Sequence, residues 1–119
     1  MSSVAFKIAF LIVVAAVVAG WFWLRAGTAP GADARALVRD GALLVDVRSP
    51  EEYAAGHIDG AVNIPVGELK TRLGELGDKQ RSIVLYCRSG ARSAKAKTLL
   101  ESTGFTSVVN LGAMSSWPE

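Results

Sequence analysis

Cysteine is nearly absent from this sequence, because Cys87 is the only one among its 119 residues. A chain with one cysteine forms no internal disulfide. A lone cysteine is also more often a small buried hydrophobe than a reactive group, so its neighbours in the sequence must decide its role. The chain length leaves room for one small domain.

A global excess of basic charge is lacking as well. From residue 32 to the C-terminus eleven basic residues balance eleven acidic ones, so the net charge of +2 comes from Lys7 and Arg25. This balance argues against a globally basic nucleic-acid-binding protein. Locally, residues 79–100 contain six basic residues and no acid. Such a stretch indicates either a solvated basic face or a site for anions.

Charged and strongly polar side chains are missing from residues 8–24, which Lys7 and Arg25 bracket. Seventeen residues form a helix of roughly 25 Å, near the lower limit for crossing a bilayer core. We therefore expect one N-terminal transmembrane helix. The predicted organisation is a membrane anchor at residues 1–25, a linker at residues 26–31 and a folded domain at residues 32–119.

A cleaved signal peptide is the alternative to this anchor. Signal peptides need small residues just after the apolar core, whereas this core ends in Trp21-Phe22-Trp23 and Leu24. Tryptophans at one end of an apolar run are typical of the membrane interface, which favours the uncleaved anchor. Basic residues after the run favour a cytoplasmic domain over a periplasmic one. These residues are Arg25, Arg35 and Arg39.

The domain itself alternates apolar strand patterns with short helical ones, which predicts an α/β fold with a mainly parallel sheet flanked by short helices. Two apolar stretches, residues 83–86 and residues 43–47 with the single acid Asp46, predict strands that are buried on both faces. The predicted strands are residues 43–47, 60–65, 83–86 and 107–110, and the predicted helices are residues 32–40, 50–56, 66–76 and 91–102.

The segment from Cys87 to Ser93 joins a predicted buried strand to a predicted helix. Ligands of open α/β sheets bind at the carboxyl ends of the strands, where Cys87 would lie. The pKa of a thiol falls near helix N-termini and near cations such as Arg88 and Arg92. Gly90 lets the backbone curl so that successive N–H groups converge. The loop therefore suits an anionic sulfur, and the planar fork of Arg92 suits oxyanions.

Three blocks in this order resemble the rhodanese family, and the resemblance covers nearly all of residues 32–117. One block would be weak evidence, whereas three in order are a specific match. The blocks are residues 46–65, which begin DVRSPEEY and continue to GHIDGAVNIP, residues 87–92 with the sequence CRSGAR, and residues 110–117 with the sequence NLGAMSSW. The chain ends soon after the third block, so we expect a short last helix and a domain of marginal stability.

The resemblance implies a sulfurtransferase that works in two steps. Cys87 takes a sulfane sulfur from an anionic donor such as thiosulfate, and a thiophilic acceptor, either cyanide or a thiol, then removes it. No metal or organic cofactor is implied. The residues expected to bind the donor are Arg88, Ser89, Gly90, Ala91, Arg92 and Ser93.

Two other functions compete with this one. Cysteine phosphatases and arsenate reductases use related loops with five residues between cysteine and arginine, whereas four separate Cys87 from Arg92. Tyr86 also stands where many such phosphatases have histidine. A redox or binding module without catalysis is the second alternative, because a fold alone does not fix function.

Several other side chains have both a structural and a functional interpretation. Asp46 could line the site or pair with Arg48, and the structural role is favoured. His57 could form a dyad with Cys87 but is expected to be scaffold. The hydroxyls of Ser89 and Ser93 could bind sulfur or cap the helix. Met114 and Trp117 are expected to be packing residues.

Overall fold

The computed structural model describes residues 28–118. No helix in this part of the chain is long and apolar enough to span a bilayer. The predicted anchor at residues 8–24 and most of the predicted linker lie outside the described residues.

Four strands form the sheet in the described part of the chain, namely β1 (Leu43–Asp46), β2 (Val62–Asn63), β3 (Ile83–Cys87) and β4 (Val108–Ala113). They are all parallel and lie in the order β2-β1-β3-β4. The prediction of a mainly parallel sheet is confirmed. All five residues of β3 are buried, as expected for a central strand that is covered on both faces.

The described residues also form three α-helices, one that precedes β1 and two that follow β1 and β3, and the sequence predicts the bounds of all three to within one residue. They are α1 (Gly31–Arg39), α2 (Pro50–Ala55) and α3 (Ala91–Ser102). Helix α2 begins with a capping box, in which Ser49 Oγ accepts from the Glu52 N–H and Glu52 accepts from the Ser49 N–H. Pro50 at its first position has a backbone φ that is already helical.

The single helix predicted for residues 66–76 is wrong, because this segment forms two short 3₁₀ helices. They are Val66–Thr71 and Leu73–Leu76, and they meet at Arg72, whose φ of −117° is not helical. The apolar spacing of three within each piece suits the three-residue period of a 3₁₀ helix. Gly67 and Gly74 also lower the α-helical propensity of the segment.

The core lies on both faces of the sheet. Side chains of alternate residues along β3 point to opposite faces, so Leu85 and Cys87 join one cluster while Val84 and Tyr86 join the other. Helix α3 covers the first face through Ala96 and Leu100, and α1 covers the second through Ala34. The last helical element among the described residues is a short 3₁₀ helix (Met114–Ser116), and a short last helix was the expectation.

Candidate active site

Cys87 is the last residue of β3, at the carboxyl edge of the sheet. The adjacent parallel strand β1 ends at the same edge with Asp46. Helix α2 follows β1 and helix α3 follows β3, so both helices begin at this edge. The fold therefore brings the first turns of two helices to the cysteine.

The sulfur of Cys87 is surrounded by hydrogen-bond donors from the next six residues. The N–H of Gly90 lies 3.0 Å from Sγ, and the N–H and the hydroxyl oxygen of Ser93 each lie 3.4 Å from it. Gly90 is the N-cap of α3 and has a φ of 104°, a conformation that side chains with a Cβ rarely adopt. The predicted convergence of N–H groups on one centre is present in this loop.

These contacts determine how easily the thiol ionises. Burial raises the pKa of the Cys87 thiol, but hydrogen bonds from the Ser93 hydroxyl and from the amides of Ser93, Gly90 and Ser89 outweigh it, so the pKa lies below its ordinary value. Cys87 is only 1% exposed, so the anion is enclosed by these donors instead of by water. A buried thiolate held in this way is an activated nucleophile.

The Ser93 hydroxyl has a second partner, because it also lies 3.1 Å from the carbonyl oxygen of Gly90. A hydroxyl carries one proton, so it donates either to that carbonyl or to sulfur. In the neutral thiol, S–H donates to the Ser93 oxygen and the hydroxyl donates to Gly90. When the thiol ionises, the hydroxyl turns its proton to sulfur. Ser93 therefore suits both protonation states.

Arg92 is turned to Glu52 of helix α2. Its Nη1 lies 2.6 Å from Oε1 of Glu52 and its Nη2 lies 2.9 Å from Oε2, which is a bidentate ion pair. The hydrogen bond from Arg92 is the main reason that the pKa of Glu52 falls to about 2. The sequence placed Arg92 among the donor-binding residues, but in this structure both ends of its fork are occupied by Glu52.

Arg88, Ser89 and Ala91 are exposed on the outside of the loop. The backbone N–H of Ser89 helps to lower the pKa of Cys87, and Ala91 is the first residue of α3. Arg88 forms no ion pair with any residue in the range 28–118. Of the two loop arginines, Arg92 is therefore paired with a carboxylate and Arg88 is not paired with any described residue.

Asp46 and Arg48 pair with each other beneath this edge. Arg48 Nη2 lies 2.6 Å from Oδ2 of Asp46, and its Nε lies 3.0 Å from both carboxylate oxygens. The hydrogen bond to Asp46 is the main cause that raises the pKa of Arg48. The Arg48 guanidinium also stacks 5.7 Å from the ring centre of Tyr86, and burial raises the pKa of that tyrosine to about 12. This geometry matches the structural interpretation of Asp46.

His57 contacts Tyr53 and forms no hydrogen bond to Cys87 in the described residues. The two rings stack with centroids 3.7 Å apart, and Nδ1 lies 2.9 Å from the Tyr53 carbonyl oxygen. Met114 and Trp117 pack against the cluster on the second face of the sheet. These three residues therefore take scaffold positions, as expected.

A bulge in β4 lies against the loop that follows Cys87. Asn110 pairs with Leu85 and Gly112 with Tyr86, which leaves Leu111 as an extra residue. The Asn110 side chain accepts from the Gly112 N–H at 2.8 Å. A Cβ on Gly90 would lie 3.6 Å from the Cα of Gly112, so the loop packs closely on the bulge.

An open groove of about 600 Å³ runs beside the loop. Ser89 and Gly90 form one wall, residues 28–31 form the other, and residues 111–113 form the floor. No group of three or more His, Cys, Asp or Glu side chains within residues 28–118 is arranged to hold a metal ion.

Glu52 is the residue of this site that the sequence reasoning missed. It was assigned only to the first turn of a helix, where acids are favourable in any case. A signal for its second contact was present in the predicted topology. Parallel strands that end in Asp46 and Cys87 place the helices that follow them side by side, and residues 79–100 hold several cations but no acid of their own.

Comparison with known proteins gives one consistent result. The family described as "Rhodanese-like domain" matches residues 31–119. The chain is 41% identical over 71 residues to the thiosulfate sulfurtransferase PspE of Escherichia coli, an alignment that covers 59% of this chain and 68% of that protein. It is 43% identical over 76 residues to a sulfurtransferase of Allochromatium vinosum, with 63% of this chain and 70% of that protein covered.

Solved structures give the same result. The human single domain sulfurtransferase TSTD1 aligns with a TM-score of 0.68 at 36% identity, over 76% of this chain and 93% of that one. A rhodanese with anions from E. coli aligns with a TM-score of 0.62 at 37% identity, over 66% of this chain and 95% of that one.

Proposed function

The chain belongs to the rhodanese-like family, and we propose that it is a sulfurtransferase that carries sulfane sulfur as a persulfide on Cys87. The observation that carries this proposal is the set of donors around the sulfur. Amides of Gly90 and Ser93 and the hydroxyl of Ser93 lie within 3.4 Å of Sγ. They stabilise negative charge on one sulfur centre, which is what a thiolate and a persulfide both require.

The proposed reaction has two displacements. The Cys87 thiolate attacks the outer sulfur of thiosulfate, a new S–S bond forms, the old one breaks, and sulfite leaves with the bonding electron pair. A thiophilic acceptor, either cyanide or a thiolate, then attacks the outer sulfur of the persulfide. Thiocyanate or a new persulfide leaves, and Cys87 returns as the thiolate. The kinetics are therefore ping-pong.

Arg88 is the residue that we assign to recognition of the anionic donor. Its side chain is exposed on the loop, and it has no ion-pair partner among the residues described. Arg92 has fewer N–H groups available for the donor, because its Nη1 and Nη2 both donate to Glu52. The same contact weakens the case for phosphoryl transfer, which needs cations that enclose the equatorial oxygens of phosphate.

Mass spectrometry of the full chain tests this function. Treatment with thiosulfate should add about 32 Da to the protein through the Cys87 thiolate. Cys87→Ser should abolish both that adduct and thiocyanate release in the presence of cyanide, while its thermal unfolding shows that the fold is kept. Undiminished turnover in Cys87→Ser, or aryl phosphate hydrolysis without sulfur transfer in the parent protein, would refute the proposal.

We also propose that residues 8–24 anchor the domain to a membrane, on its cytoplasmic side. Support comes from the charge-free run, from Trp21 and Trp23 at its end, and from the basic residues that follow it. The full-length protein should then stay with membranes during alkaline extraction. Gly27, Thr28 and Ala29 are small residues that could precede a cleavage site, so a mature protein that begins after Ala29 would show instead that the segment is a cleaved signal peptide.

A further inference from the structure

We propose that Glu52 is a positioning residue for sulfur transfer, which holds Arg92 and thereby fixes the first turn of α3 around the sulfur of Cys87. This inference rests on the proposed sulfurtransferase function. It assigns the two loop arginines to different tasks, with Arg88 left to meet the donor and Arg92 used to set the shape of the loop.

Hydrogen bonds from Ser49 restrain the Glu52 carboxylate, so it can in turn restrain Arg92. Its Oε1 accepts from the Ser49 N–H at 3.3 Å and from the Ser49 hydroxyl at 3.1 Å, in addition to Arg92. Its other oxygen, Oε2, accepts only from Arg92 among these partners. The carboxylate is therefore anchored on α2 by the capping box and on α3 by a bidentate pair.

Arg92 is well placed to transmit that restraint to the sulfur. It directly precedes Ser93, which supplies two of the three nearest donors to Sγ of Cys87. The same turn is closed by the bond from the Ala94 N–H to the Gly90 carbonyl at 3.0 Å. Fixing the guanidinium of Arg92 therefore fixes the direction of N–H groups that must point at one atom.

The ion pair between Arg92 and Glu52 also compensates an unfavourable charge at the start of α3. Arg92 lies in the first turn of α3, where the helix dipole disfavours a cation, and Glu52 offsets that charge. The side chains of Arg92 and Glu52 keep 37% and 28% of their surface exposed. Ion pairs with that much access to solvent contribute little to overall stability, so we expect removal of Glu52 to affect the reactivity of Cys87 more than the unfolding of the protein. This difference separates a positioning role from a merely structural one.

The test uses Glu52→Gln, Arg92→Gln and the double variant in the full chain. Glutamine still completes a capping box, so helix α2 is kept while the charge is lost. We expect each single variant to lower kcat for thiosulfate:cyanide transfer about tenfold, since small displacements of reacting groups are costly. The KM for thiosulfate should stay unchanged, because Arg88 remains. The double variant should be no slower than the slower single variant, because Glu52 acts through Arg92.

Glu75→Gln is the matched control. Glu75 makes a bidentate pair with Arg72, at 2.6 and 2.9 Å, and neither of these residues hydrogen-bonds to the described loop from Cys87 to Ser93. This variant loses the same kind of contact and should keep full activity. The rate at which iodoacetamide alkylates Cys87 gives an independent readout, and it should change in Glu52→Gln but not in Glu75→Gln.

Each outcome discriminates. A parent protein that takes up no sulfur would overturn the proposed function, whatever the alkylation rates are. Normal sulfur transfer in the parent, with Glu52→Gln unchanged in both kcat and alkylation, would overturn the positioning role alone. A lower KM with unchanged kcat in Glu52→Gln would also overturn it, because Glu52 would then compete with the donor for Arg92. Effects that multiply in the double variant would show that the two residues act separately.

Discussion

Replacing Ser93 with alanine removes one hydrogen-bond donor from the sulfur of Cys87 and leaves the others. The hydroxyl oxygen lies 3.4 Å from Sγ, and the backbone N–H of the same residue, which alanine retains, also lies 3.4 Å from it. The amide of Gly90 at 3.0 Å is not touched by the change. The substitution therefore measures how much the hydroxyl contributes to holding the thiolate.

The expected size follows from the charge on the acceptor. A hydrogen bond to a charged group contributes about 1.5–3 kcal/mol, and a contact at 3.4 Å belongs at the lower end of that range. Since about 1.4 kcal/mol corresponds to a factor of ten, the thiolate population at a fixed pH below the pKa should fall roughly tenfold. The substitution destabilises the neutral thiol less than the thiolate, because the hydrogen bond between the thiol and the Ser93 oxygen involves no full charge.

The pH dependence of alkylation by iodoacetamide measures this change directly. Cys87 is the only cysteine in the chain, so the mass increase of the intact protein reports on one site. The pKa of Cys87 lies below its ordinary value in the parent, so the profile of Ser93→Ala should move towards higher pH. Sulfur uptake from thiosulfate should slow in parallel.

Ser102→Ala provides the control at the other end of the same helix. Its hydroxyl donates to the Leu99 carbonyl at 2.6 Å and makes no contact with the loop. Its alkylation profile should coincide with that of the parent. Coincidence of the Ser93→Ala profile with the parent profile, or an equal displacement in Ser102→Ala, would refute the assignment of the hydroxyl to the thiolate.

Two further predictions concern buried and paired charges. Asp46→Asn should lower the free energy of unfolding by about 3–5 kcal/mol, because it leaves the buried guanidinium of Arg48 without its counter-charge. A chemical denaturation curve measures this loss, and a value below about 1 kcal/mol would contradict the prediction. The pKa of Glu52 is lowered from 4.5 to about 2, so any stability that its pair with Arg92 contributes is present above about pH 4.5 and is lost as the pH falls towards 2. The parent and Glu52→Gln should therefore converge in melting temperature near pH 2, and a difference that persists there would contradict the assignment.

The central features of the fold and site could be predicted from the sequence because they depend on local patterns. The apolar run of residues 83–86 indicates a strand that is buried on both faces, and Gly90 and the helical stretch after it indicate a turn followed by a helix. Those elements alone place Cys87 at the carboxyl end of the sheet. Residues within six positions of Cys87 therefore supply the hydrogen-bond donors that lie nearest to its sulfur.

The 3₁₀ helices and the β4 bulge were not predicted, because their sequence patterns also fit other local structures. Apolar spacing of three fits one turn of an α-helix or of a 3₁₀ helix, so the pattern of residues 66–76 did not distinguish them. The last strand runs to Ala113 instead of residue 110, because a bulge at Leu111 lets pairing resume after one extra residue. Bulges satisfy no simple period of two, so an alternation pattern stops where they begin.

The placement of Arg92 shows why proximity along the chain is a poor guide to electrostatic partners. Arg88 and Arg92 are both within five residues of Cys87, and short sequence distance favours the same role for both. The partner that takes Arg92 is 40 residues away along the chain. It is nearby in space because each helix of a parallel βα unit begins at the same edge of the sheet, and because acids collect in helical first turns. Arg92 in the first turn of α3 therefore pairs with Glu52 in the first turn of α2, although the two residues are far apart in the sequence.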